Sequence, residues 1–97
     1  MDAKVRHMVV FNLKPDADAK VFLETARAKL GPIPYATNIL QCYQTNAMCP
    51  FKYGFSFDFA SQEDYERYNS NPDHVWFVTN FWKTQVADFM EVDFEEL

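Results

Sequence analysis

An α+β fold of order βαββαβ, with a four-stranded antiparallel sheet and its helices on one face, is predicted by three observations. Residues 53–59, YGFSFDF, set aromatic rings at every second position, the pattern of a strand with one buried face. Residues 18–30 instead place Ala19, Phe22, Leu23, Ala26 and Leu30 on a stripe of period near 3.6, which only a helix brings onto one side. Further period-two segments stand at 5–13 and 86–97, flanking everything else. Strand, helix, two strands, helix and strand is the order of the ferredoxin-like split βαβ arrangement.

Strand one runs from Val5 to Leu13 and stops at the turn-forming KPDAD. Both its odd row (Val5, His7, Val9, Phe11, Leu13) and its even row (Arg6, Met8, Val10, Asn12) carry apolar residues, so both faces of the sheet are expected to be covered. Helix one spans Asp18 to Leu30, with Asp16 or Asp18 as its cap and Gly31-Pro32 as its end. Strand two is expected from Thr37 to Gln44, and TNAMCPFK reads as a loop into strand three at Tyr53. Ser61, with Asp64 three residues on, opens helix two, which carries Tyr65 and Tyr68. A second start follows at once. Asn71 suits an N-cap and Pro72 a first helical position, so the helix breaks near residue 70 and restarts at 72 with His74, Phe77, Val78 and Phe81 on one face. The segment VADFMEVDFEEL is the last strand. Helices cover one side of such a sheet; the other, lined by Met8, Val10 and part of the last strand, is best covered by a second copy of the chain in a twofold dimer.

Length and composition narrow the function. The 97 residues make one domain, able to bury roughly 60–70% of its unfolded surface without staples. A formal charge of −5 with scattered Lys and Arg excludes a basic footprint for nucleic acid. No apolar run reaches the ~18 residues of a membrane span, and MDAKVRHMVV lacks the order of a signal peptide, so a soluble cytoplasmic protein is expected. Cys42 and Cys49 read as free thiols; no spacing suggests a transition-metal site, and no cofactor is expected. Aromatic residues make up 18% of the chain, ten of them Phe, which is too much ring surface to leave in water.

Several stretches resemble the stress-responsive A/B barrel (Dabb) family, and the resemblance covers nearly the whole chain. RHMVVFNLK is similar to that family's opening strand with its early histidine, IPYATNI to its Ile-Pro turn, and YGFSFDFASQEDYERYNSNPDHVWF to its longest motif. The resemblance implies a ferredoxin-like protomer and a homodimer whose two sheets close into a dimeric α/β barrel. The family contains a plant polyketide cyclase that closes a linear polyketone by an aldol-type condensation. Its base, the histidine after the Pro, corresponds to His74, the tyrosine that holds the base to Tyr68, and its strand-one histidine to His7. A further histidine of that enzyme corresponds to Tyr53, which is a departure. Many other relatives are stress-induced proteins of unassigned reaction.

The residues themselves point to a pocket between sheet and helices. If the rows of His7 and of Tyr53, Phe55 and Phe57 face the helices, they share one layer with His74 and Phe77, suited to a small apolar or phenolic ligand. His74, near a helix start in a desolvated setting, is expected to be neutral and able to act as a general base. Tyr68 could orient that ring or donate to a developing enolate. The expected catalytic pair is therefore His74 and Tyr68, with His7, Tyr53, Phe55 and Phe77 as ligand-binding residues. Structural roles stand beside these: either histidine could be a satisfied core residue, and Tyr65 and Tyr68 core rings with a wet tip. The row Phe89, Glu91, Asp93 could turn a carboxylate toward the pocket, although such residues more often end at a rim. Trp76 falls on the opposite side of its helix, where a partner surface or a tilted helix would explain it.

Overall fold

The alternation of strand one survives in three dimensions. In β1 (Val5–Leu13) the odd residues Val5, His7, Val9 and Phe11 are buried, while Arg6 and Met8 face outward. The computed structural model describes residues 4–97. β1 is followed by α1 (Ala19–Leu30), β2 (Ala36–Tyr43) and β3 (Tyr53–Phe59), then by α2 (Gln62–Ser70) and α3 (Pro72–Phe77). A π-helical turn (Val78–Trp82) and a short α4 (Lys83–Gln85) lead into β4 (Val86–Glu95). The sheet order is β2-β3-β1-β4, every neighbouring pair antiparallel, which is the expected ferredoxin-like topology.

Caps delimit the helices as the sequence predicts. The Asp18 carboxylate accepts from the Val21 amide at 3.1 Å, and the Ser61 hydroxyl from the Asp64 amide at 3.1 Å. Asn71, extended at φ −61° and ψ 135°, ends α2 and caps α3 by accepting from the Asp73 amide at 3.0 Å. Gly31 closes α1 where a Cβ would lie 2.6 Å from the Arg27 carbonyl oxygen, so a larger residue would force the backbone to shift. β2 runs one residue earlier than expected and carries a bulge between Thr37 and Leu40. There Asn38 takes the left-handed φ of 49°, which asparagine tolerates, and its amide donates to Asp58.

The core lies between the sheet and the helices. Phe11, Phe22, Phe59, Tyr68 and Phe77 are its largest fully buried side chains. Each buried Phe contributes roughly 1.5–3 kcal/mol relative to exposure. The π-turn is a feature the periodicity did not predict: the Lys83 amide bonds the Val78 carbonyl, five residues back, widening one turn. After it the Trp82 ring packs 4.9 Å from Phe11 and 5.5 Å from Phe89, at the end of the core. Trp76 lies against α1, with the Lys29 ammonium 4.7 Å from its ring centre and Phe81 at 5.7 Å.

The outward row of β1 and β4 is apolar and open. Register pairs Met8 with Val92 and Val10 with Met90; Met8, Met90, Val92 and Phe94 are all exposed in the single chain. This is the uncovered face expected from the two apolar rows.

Candidate functional site

A cavity of about 850 Å³ opens between the sheet and the helices. Val9, Phe55, Phe57 and Phe77 give it apolar walls, and His7, Tyr65, Tyr68 and His74 bring polar atoms to it. Lys83, Asp88 and Glu91 line it as well, from the end of the helical segment and from β4. β1 delivers His7 because the odd row faces inward; α2 delivers both tyrosines from one side, and the restart at Pro72 brings His74 alongside Tyr68.

His7 sits at the centre of a polar triad. The β1–β4 register places Asp93 directly across from it, so the two side chains share the helix-facing side of the sheet. His7 Nδ1 lies 2.6 Å from Asp93 Oδ1 and 2.7 Å from the Tyr65 hydroxyl oxygen. That hydroxyl is also 3.2 and 3.3 Å from the two Asp93 oxygens. Burial, reinforced by the Asp93 charge, pushes the Tyr65 phenol well above its ordinary range, so it stays protonated and donates. The imidazole stacks on Phe57 at 5.7 Å and lies 5.0 Å from the Tyr65 ring.

His74 is tied differently. Its Nδ1 lies 3.1 Å from the Asn69 carbonyl, which can only accept, so Nδ1 carries the proton and the neutral ring keeps its lone pair on Nε2. Burial holds this imidazole below its ordinary range, opposed by the bond to Asn69 and aided by the nearby His7. The Tyr68 ring is 4.9 Å away, tilted by 60°. Of the two roles expected for Tyr68, orienting His74 by a hydrogen bond is not realised, since the buried hydroxyl has no partner among the described residues. Burial pushes this phenol upward too, so it keeps its proton and can donate to a ligand oxygen.

Five of the six expected site residues, His7, Phe55, Tyr68, His74 and Phe77, border the one cavity. Tyr53 does not. It faces the helices as expected, but it is paired with Phe11, two register steps beyond the Val9–Phe55 pair, and its ring packs on Phe11 and Tyr43. Tyr53, expected among the ligand-binding residues, thus lies away from this cavity. Asp93 was legible only as one member of an inward row, and Tyr65 as a core ring. Their meeting at His7 depends on the β1–β4 register, which no local pattern fixes.

Fold and site together describe a small α+β sandwich half whose helix-covered side encloses a cavity edged with imidazoles and phenols. The stress responsive A/B barrel domain model matches residues 5–96, and the chain belongs to that family, Dabb. A Dabb family protein with a ferredoxin-like fold from Mesorhizobium loti is similar at 38% identity and a TM-score of 0.93, over 99% of both chains. A dimeric ferredoxin-like protein of unknown function from Thermobifida fusca shares the fold at 15% identity and a TM-score of 0.82, covering 99% of this chain and 93% of its own. So does the hydroxynitrile lyase of Passiflora edulis, at 15% identity and a TM-score of 0.80, covering 100% of this chain and 96% of the lyase. No functionally curated protein matches the chain in sequence.

Proposed function

We propose that the chain is a homodimeric A/B barrel protein that binds a small, partly apolar, oxygen-bearing molecule between sheet and helices, around His7, Tyr68 and His74. The observation that carries this reading is the Tyr68 hydroxyl, buried with no hydrogen-bond partner among the described residues, beside a cavity of about 850 Å³. A buried polar group left unpaired costs on the order of 1–3 kcal/mol, and a ligand oxygen accepting from it removes that cost. The volume suits a drug-sized ligand, and the apolar walls with a few converging polar groups are the usual composition of such a site.

The same groups support proton-transfer chemistry of the lyase, isomerase or polyketide-cyclase kind. His74, kept neutral by burial, would take a proton at Nε2; Tyr68 would donate to the oxyanion that forms as that proton leaves. Each contribution is of ordinary size, about 10² to 10⁴ in rate for the base. The Passiflora neighbour bears the name of a lyase, and at its low identity it supports only the fitness of this scaffold for such a pocket.

Dimerisation through the open face is supported by its apolar row and by dimeric neighbours with this fold. The deciding experiment for the pocket is a thermal-shift screen of phenolic and polyketide-like compounds on the native protein and on His74→Ala. The expected outcome is stabilisation of the native protein, approaching about 2.7 kcal/mol at 100 times Kd, and its loss in the variant. Absence of stabilisation by every compound would leave His74 and Tyr68 as packing residues.

A further inference from the structure

We infer that His7 is a second ligand-contacting group, accepting at Nε2 a hydrogen bond from a hydroxyl of the bound molecule, and that Asp93 and Tyr65 are the positioning residues that hold it so. The inference rests on the pocket reading above and adds the class of ligand: an apolar molecule with a donating hydroxyl, as opposed to an ether or ester of the same shape.

The argument starts from where protons must lie. A carboxylate has only acceptor oxygens, so a 2.6 Å contact between His7 Nδ1 and Asp93 Oδ1 requires the proton to be on Nδ1. The Tyr65 hydroxyl directs its own proton to the same carboxylate. With that proton on Nδ1, a ring carrying a single proton has its lone pair on Nε2. Every side-chain hydrogen bond His7 makes among the described residues is made by Nδ1, and the ring borders the cavity. Stacking on Phe57 and packing against Tyr65 leave it little room to turn.

Asp93 does not need His7 for its own sake. Its side chain is 48% exposed, whereas that of His7 is 10% exposed, so water could satisfy the carboxylate while the imidazole depends on it. The result is a site in which both imidazoles present acceptors and the Tyr68 hydroxyl is the donor. A complementary ligand brings a hydroxyl to His7 and an acceptor oxygen to Tyr68. Loss of Asp93 has a specific consequence. The Tyr65 hydroxyl, 2.7 Å from Nδ1, would then donate to it and drive the ring proton to Nε2, turning the acceptor into a donor.

The test has two readouts, with 4-propylphenol and its methyl ether as probes. Long-range ¹⁵N spectra of the imidazoles should show His7 protonated at Nδ1 in the native protein and at Nε2 in Asp93→Ala, with Asp93→Asn, whose carbonyl can still accept, restoring the native form. Calorimetric titration should show the phenol preferred over the ether, and that preference should fall roughly two- to tenfold in His7→Phe, the worth of one net hydrogen bond. His7→Phe keeps the ring on Phe57, and Asp93 is on an edge strand, so both variants are expected to fold; thermal melts confirm it. Protonation at Nε2 in the native protein would overturn the inference whatever binds. An Nδ1 proton with an unchanged preference in His7→Phe would overturn it while leaving the pocket reading intact. Failure of both probes to bind would remove both.

Discussion

At the scale of single residues, the Tyr68 hydroxyl carries a cost that a ligand could offset. It is buried with no hydrogen-bond partner among the described residues. Tyr68→Phe should therefore leave the fold unharmed or raise its unfolding free energy by about 1 kcal/mol in urea titration, while weakening ligand binding. A loss of stability would mean that the hydroxyl has a partner in solution. His74 is held below its ordinary range by burial, so the unfolded chain takes up a proton there before the folded one does. Stability contributed by the neutral ring is complete above about pH 6.5 and is lost as pH falls through that value toward the folded-state one. The native protein should lose more unfolding free energy than His74→Gln between about pH 7.5 and pH 5.5. Equal losses would contradict the burial argument.

At the scale of elements, much of the fold was legible because local rules agreed with one another. The ring row of β3, the stripe of α1 and the paired signals at Asn71 and Pro72 each point to one structure, and each is found. The cap at Ser61 can be tested alone: Ser61→Ala should cost about 1 kcal/mol in unfolding free energy, because the Asp64 amide loses its acceptor. No change would show that the start of α2 is held by tertiary packing of Tyr65 and Tyr68. What remained hidden were departures from ideal geometry. The π-turn at Val78–Trp82 has no residue signature, since any chain whose rings pack better after one widened turn will take it. The bulge around Asn38 likewise depends on pairing with β3.

At the scale of the whole molecule, the site was only half legible. His7, Tyr68 and His74 could be named from sequence because each lies in a local pattern; Asp93 could not be joined to His7 because the strands that carry them are joined only by register. The apolar outer row of β1 and β4 is the other whole-molecule feature. If it is the dimer interface, Met8→Lys with Val92→Lys should leave the protomer folded and halve the mass seen by sedimentation, since like charges would be buried against one another. An unchanged mass would place the interface elsewhere.

The central claim is that the cavity is a ligand site reaching both imidazoles, and the chain has only two histidines, so each can be followed separately. The most direct measurement is an NMR titration of their ring signals with 4-propylphenol. The account predicts that His7 and His74 shift together and saturate with one Kd, and that Tyr68→Phe weakens that Kd. Ring signals that stay fixed up to the solubility limit of the phenol would contradict it.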